Sequence, residues 1–211
     1  SNCGHCLFAG IARPEHAHRI AEHLLSPRFF SGWGVRTVAS DQSRYNPMSY
    51  HNGTIWPHDT AICAAGLARY DRPDAAAIML GAMLEAASYA ESYRLPELFC
   101  GFPRRHGEAP IRYPVACAPQ SWAAGAVFLL LQACLGLSVD PGRREVQLHN
   151  PTLPDFLHHV CLRNLCVGAG KADLTGGELH AFGRPLAEFN GIRGAQPGDG
   201  GLRVQPCGET V

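Results

Sequence analysis

Ser49-Tyr50-His51-Asn52-Gly53-Thr54-Ile55-Trp56-Pro57-His58-Asp59 is the stretch around which the rest of the chain can be arranged. Two histidines, two aromatics, an amide and a carboxylate crowd around a glycine and a proline. An apolar helical pattern follows at once, Ala61-Ile62-Cys63-Ala64-Ala65-Gly66-Leu67-Ala68. Polar and aromatic side chains at the mouth of a buried helix are what a sugar site needs. The rings of Tyr50 and Trp56 can stack on a pyranose, while His51, Asn52, His58 and Asp59 can bond its hydroxyls. The plainer alternative is a loop that only caps the next helix, with Pro57 in its first turn.

Working outward, Pro14 opens a helix that runs to about Leu25. Ala17, Ile20, Ala21 and Leu24 share one face of it, so it is half exposed. Before it, His5–Ala12 reads as a short helical piece that is apolar all round. Arg28–Trp56 holds no sustained periodicity, and a loop of that length in a compact domain is usually functional. The helix from Pro57 to about Tyr70 is apolar on nearly every side and belongs in the interior. After Arg72-Pro73-Asp74, a helix rich in Ala, Met and Leu runs to about Tyr93, with Glu85, Ser88, Glu91 and Ser92 marking a wet face. A second long loop, Arg94–Pro119, leads into an interior helix over Gln120–Leu137, built on Trp122, Ala126, Leu129, Leu130 and Ala133.

Beyond Arg143 the pattern changes. Glu145-Val146-Gln147-Leu148 and Val160–Val167 alternate with period two and predict short strands closing over the helical body. From about Asn190 the chain is Gly-rich and poor in apolar residues, which predicts disorder. The expected organisation is a helical domain over residues 1–140, a strand-containing extension over 141–189 and a disordered tail over 190–211. Exposed and buried helices alternate, with long polar loops leading into the buried ones. That rhythm predicts a mainly α fold, a toroid of helical hairpins whose loops line one mouth.

Composition excludes several classes. The 211 residues carry a formal net charge of +0, which argues against nucleic acid or an anionic membrane surface as partner. The longest apolar run, Ala123–Leu131, is too short to span a bilayer. Nine cysteines are scattered singly apart from Cys3-Gly4-His5-Cys6, which points to reduced thiols and a cytoplasmic protein. No cofactor and no metal are expected. His16 and His18 share no helical face, His158 and His159 are adjacent, and the C-x-x-C pair has no second pair. The Cys3/Cys6 pair raises thiol oxidoreductase chemistry as a remote alternative, but such a site needs a preceding strand and a βαβ pattern, and neither is present.

Three ordered motifs resemble the bacterial amylo-alpha-1,6-glucosidases, debranching-type glycosidases of the six-hairpin superfamily that includes mannosylglycerate-hydrolase-like enzymes. They are Tyr45-Asn46-Pro47-Met48-Ser49-Tyr50-His51-Asn52-Gly53-Thr54-Ile55-Trp56-Pro57-His58-Asp59, then Arg94-Leu95-Pro96-Glu97-Leu98-Phe99, then Tyr113-Pro114-Val115-Ala116-Cys117-Ala118-Pro119-Gln120-Ser121-Trp122-Ala123-Ala124-Gly125. The resemblance covers about Ser1 to Leu174. It implies an (α/α)6 barrel that hydrolyses α-glucosidic bonds, α-1,6 branch points in particular, with inversion. An acid protonates the leaving oxygen and a carboxylate roughly 6.5–9.5 Å away activates water.

On that resemblance Glu97 is the general base, and its neighbours Leu95, Pro96, Leu98 and Phe99 are expected to raise its pKa. Trp33, Tyr50, His51, Asn52, Trp56, His58, Asp59, Gln120 and Trp122 would contact an oligosaccharide or polysaccharide. The family's general acid lies in an N-Q-G-W-K-D-S type segment, and no such segment occurs in this sequence. About five helical segments can be counted where six hairpins need about twelve. The expectation is therefore an incomplete toroid, the C-terminal portion of a glycosidase, inactive alone, with apolar inner faces open to association. The alternative is a carbohydrate-binding or structural fragment without catalysis.

Overall fold

A computed structural model of the chain describes residues 1–140, 142, 145–167, 170–176, 195–198 and 201–204. They form five α-helices, one 3-10 turn and six short strands, a helix-rich mixture in two units divided between Cys134 and Leu135.

In the first unit the helices are α1 (Asn2–Phe8), α2 (Pro14–Leu25), α3 (Pro57–Arg69), α4 (Pro73–Ser88) and α5 (Ser121–Leu135). Proline opens α2, α3 and α4, where its missing N–H costs nothing and its fixed φ suits the first turn. Helix α1 starts earlier than the apolar run suggests, at Asn2 rather than His5, and stops at Phe8, before Gly10 turns the chain with φ +71°. It lies tightly on α3. A Cβ on Gly4 would fall 2.3 Å from the Cys63 sulfur, and one on Gly66 would fall 2.7 Å from the Gly4 carbonyl oxygen. Only glycine at both places lets the two helices approach this closely.

Two helices differ from expectation in their burial. The predicted wet helix α4 buries Ala75, Ala76, Ala77, Met79, Leu80, Ala82, Met83, Ala86 and Ala87. Its residues are small or apolar nearly all round, so neighbours can press on several sides. It also ends at Ser88 rather than Tyr93, because Glu91–Tyr93 is a separate 3-10 turn with Ser92 at φ +54°. The predicted interior helix α5 is instead one-sided. Ala123, Ala126, Leu130, Ala133 and Cys134 are buried at helical spacing, while Phe128 is 74% exposed. The inner and outer alternation read from the sequence is thus not what these helices show.

The long loops are tied to one another rather than structureless. Isolated bridges run Arg36 to Ile55, Ile55 to Phe99 and Phe99 to Arg112, a ladder one residue wide. Ile55 and Phe99 exchange both backbone hydrogen bonds, at 3.0 and 2.9 Å. Arg36, only 2% exposed, fastens this junction: its Nε donates to the Gly101 carbonyl (2.6 Å) and its Nη1 to the Pro27 carbonyl (2.9 Å). Burial lowers the Arg36 pKa, and Tyr45 lies beside the guanidinium and also donates to the Gly101 carbonyl.

In the second unit β1 (Leu137–Asp140) pairs with β2 (Glu145–Leu148). The latter pairs with β6 (Gly201–Val204), which closes on β5 (Ala195–Gly198), all antiparallel. A separate hairpin joins β3 (Val160–Val167) to β4 (Gly170–Gly176). Val146 and Leu174 form a small core with Leu137, Leu162 and Leu165 packed on it. Strands β2 and β3 fall where period-two alternation places them. The expected disordered tail, 190–211, lies outside the described residues except for β5 and β6, which pair as a hairpin.

Candidate functional site

The Ile55–Phe99 bridge sets Trp56 and Glu97 close to a common point, since each lies within two residues of it. From there the side chains can be built up one at a time. Glu97, 8% exposed, is tied at both ends to the third motif. Its backbone N–H donates to the Cys117 carbonyl at 2.8 Å, and the Cys117 N–H donates to its Oε2 at 3.1 Å. The other oxygen, Oε1, accepts from the hydroxyl of Tyr50 at 2.5 Å. Three motifs that are distant in sequence therefore meet on one carboxylate.

These donors decide its charge. The Tyr50 hydroxyl first, and the Cys117 backbone N–H next, hold the Glu97 carboxyl below the usual range, against a smaller opposing effect of burial. The expected upward shift from Leu95, Leu98 and Phe99 is thus reversed. Those side chains are themselves buried, but two hydrogen bonds to the charged form outweigh desolvation. The same bond pushes the Tyr50 phenol up to about 12, so it stays a donor.

Around Tyr50 the rings form a continuous wall. His51, Trp56 and Tyr113 meet its ring edge-on at centroid distances of 4.7, 4.8 and 5.6 Å. Trp56 is buried and anchored, its Nε1 donating to Thr54 Oγ1 at 3.1 Å while that hydroxyl donates to the Tyr50 carbonyl at 2.8 Å. The wall continues through His58, which stacks on Trp122 with centroids 4.3 Å apart and planes 19° from parallel. Trp122 is 49% exposed and offers a flat apolar face at the start of α5. Burial lowers the His58 pKa and so favours the neutral imidazole, although both Asp59 and Glu97 act in the opposite direction.

The other expected residues are placed differently. Asp59 is buried, with Oδ1 bonded to Nε2 of His5 and Oδ2 enclosed without a partner. Gln120 turns its Oε1 back to the Ser121 N–H. Asn52 is half-buried, and its carbonyl accepts from the Asn46 N–H. Trp33 shares no ring contact with this wall among the described residues. It is 3% exposed, edge-on to Tyr89 and covered by the Arg104 guanidinium at 4.7 Å. The sequence singled out neither Cys117 and Thr54, which hold Glu97 and Trp56, nor two ring-bearing participants. Tyr113 sits within a motif whose composition alone gives it no role, and His5 lies in a C-x-x-C whose cysteines draw the eye.

An ionised carboxylate held by two donors, in an aromatic wall that exposes Trp122, can orient a water and accept its proton while that ring stacks on a pyranose. Among the described residues no group of three or more His, Cys, Asp or Glu side chains could hold a metal ion. No helix among them is long and apolar enough to cross a membrane. The cysteines described are free thiols.

Residues 5–101 match a family model described as the mannosylglycerate hydrolase MGH1-like glycoside hydrolase domain. No curated protein matches the chain. The matched span contains Tyr50, Trp56, His58 and Glu97 and ends before Tyr113, Cys117 and Trp122. A glycoside hydrolase-like domain is thus present, and the last motif of the site lies beyond the matched part.

Proposed function

We propose that this chain carries the base side of an inverting glycosidase acting on α-glucosidic bonds of branched oligosaccharides or polysaccharides, with α-1,6 linkages as the preferred substrate. The observation that supports this most directly is Glu97, kept ionised by Tyr50 and Cys117 beside an aromatic wall. A general base must be deprotonated to take a proton from water, and hydrogen bonds to the charged form supply that state. A raised pKa would have suited an acid instead. In this reading Tyr50 orients Glu97, Trp122 and His58 form one sugar platform, His51, Asn52 and Gln120 lie along its rim, and Trp56 backs it. The helices would then be part of an (α/α)6 toroid.

Inversion needs a second carboxyl group to protonate the leaving oxygen. The family segment that resembles such an acid is not in this sequence, and Asp59 is enclosed. The 211 residues alone should therefore bind glycan without turning it over. The specificity for α-1,6 bonds rests on the motif resemblance.

The test is calorimetric titration of the chain with isomaltose, panose and a branched dextrin, alongside a reducing-sugar assay. Saturable binding of the α-1,6-linked ligands, lost in Glu97→Gln or Trp122→Ala, supports the reading. Binding of unbranched maltotriose in preference would overturn the linkage assignment. Turnover by the isolated chain would overturn its inactivity and make a residue within it the acid.

A further inference from the structure

Asp59 is a charged group in a costly place. It is 7% exposed in the first turn of α3, and among the described residues its one ion-pair partner is His5. Its second oxygen has no hydrogen-bond partner, and neither has Nδ1 of the adjacent His58; both atoms are enclosed. A buried carboxylate with one bond depends on whatever cationic or donor group that bond supplies. His5 reaches it because α1 is pressed onto α3 at Gly4 and Gly66, which fixes the imidazole against the start of α3. The outer part of the His5 ring is open, its side chain being 44% exposed.

The residue before Asp59 gives this pair a consequence. His58 carries the Trp122 stack. Its charge environment has three members: Asp59 and Glu97 favour the imidazolium, while His5, with burial, opposes it. Trp56 meets its ring edge-on and is uncharged. A neutral His58 presents a flat, uncharged face to Trp122. If Asp59 were free to turn or to act alone, that balance would tip towards the charged form.

We propose that His5 is a positioning residue of this site: by anchoring Asp59 it fixes the carboxylate next to His58 in the chain, and through His58 the seat of the Trp122 platform, without touching the sugar. The expected effect on glycan affinity rests on the sugar-site reading above, whereas the coupling from His5 through Asp59 to His58 does not.

The experiment is an NMR titration of the His58 imidazole in the full 211-residue chain and in His5→Ala, His5→Gln, Asp59→Asn and the double variant His5→Ala/Asp59→Asn. Thermal midpoints and isomaltose affinity are measured on the same samples. Removing His5 should move the His58 midpoint up, and removing the Asp59 charge should move it down. In the Asp59→Asn background the effect of His5→Ala should shrink to less than about half, the signature of two groups acting as one. Gln keeps an N–H at the reach of Nε2, so His5→Gln should hold glycan affinity within about twofold while His5→Ala loses about tenfold.

An unmoved His58 midpoint in His5→Ala, or equal shifts in both backgrounds, overturns the proposal. Should His5→Ala not fold, His5→Leu decides it, because that variant fills the space of the ring but offers Asp59 no donor, and an unmoved His58 there is equally fatal. If His58 moves as stated but the parent binds no glycan, the positioning role stands and the sugar-site reading falls. If the parent binds glycan and His58 does not move, only the positioning role falls.

Discussion

Tyr50 and Glu97, 47 positions apart in the chain, are joined by a 2.5 Å hydrogen bond in which the phenol donates to Oε1. That bond is the first cause of two opposite shifts, lowering the acid and raising the phenol to about 12. A pair arranged this way has one charge at every pH between the two titrations, and the charge sits on the carboxylate.

Replacing Tyr50 by Phe removes the donor and keeps the ring. The Glu97 carboxyl should titrate at higher pH, because the ionised form has lost its larger support and keeps only the Cys117 N–H. The direction follows from linkage. A depressed folded-state pKa stabilises the fold above the unfolded value, and that stabilisation is lost as pH falls through the folded one. In Tyr50→Phe the acid limb of glycan binding should therefore begin at a higher pH than in the parent, while the stability that the Glu97 charge supplies should be smaller and be fully lost at a higher pH. Carbon-detected NMR of the Glu97 carboxyl checks it, and an unmoved midpoint would mean that Tyr50 does not set the charge of Glu97.

Arg36 bears on stability alone. Its guanidinium donates to the carbonyls of Gly101, Pro27 and Arg28, and among the described residues no carboxylate is one of its hydrogen-bond partners. Arg36→Met keeps much of the volume but takes a donor from each carbonyl; Gly101 keeps the Tyr45 hydroxyl and Arg28 keeps the Ser40 N–H, so the Pro27 carbonyl is the one left short, at about 1–3 kcal/mol for a group left unsatisfied. Chemical denaturation should show a loss of about 1–3 kcal/mol with an unchanged dependence on denaturant. A loss under about 1 kcal/mol would mean that water replaces the guanidinium.

How much of this was legible in the sequence differs by element. Helix starts at Pro14, Pro57 and Pro73 and strands at Glu145 and Val160 were readable because they depend on local chemistry and short periods. The three motifs that supply Tyr50, Glu97 and Trp122 were readable as motifs. The burial of α4 and α5 was not, because an Ala-rich helix and a Leu-rich helix give nearly featureless patterns and only their neighbours decide which sides are covered. Nor was the charge state of Glu97 legible. Its sequence neighbours are apolar, and the groups that set its pKa come from Tyr50 and Cys117, across loops whose pairing through Ile55 and Phe99 has no periodic signature. Trp33 was misleading for the same reason: an exposed tryptophan and one covered by Arg104 and Tyr89 look alike in one dimension.

Gly101 tests the loop junction itself. A Cβ placed there would lie 1.7 Å from the Gly53 carbonyl oxygen, a contact with backbone rather than with a side chain that could swing away. Gly53 has φ +145° and belongs to the Tyr50–Trp56 segment, so relief at one glycine displaces the other. Gly101→Ala should separate the segment carrying Tyr50 from the one carrying Glu97. We expect a fall in stability above about 2 kcal/mol together with loss of the Tyr50 effect on Glu97. A folded variant in which Glu97 titrates as in the parent would show that the two glycines do not set the site.

Two tryptophans that look alike in the sequence differ sharply in the fold. Trp122 is 49% exposed and its contacts are rings at the site, His58 and Trp56. Trp33 is 3% exposed and enclosed by Arg104 and Tyr89. Truncating a half-exposed ring forfeits little packing, so Trp122→Ala should cost about 1 kcal/mol of stability or less. It should nevertheless weaken isomaltose binding about tenfold or more, since stacking on that face is what the proposed site offers an incoming sugar. Trp33→Ala should do the reverse. Removing a buried tryptophan costs about 3–5 kcal/mol, while the molecules that remain folded should bind glycan within about twofold of the parent. Denaturation midpoints and calorimetric titration on both variants give all four numbers. If Trp33→Ala loses binding in its folded fraction while Trp122→Ala keeps it, the sugar platform is not where the His58–Trp122 stack places it.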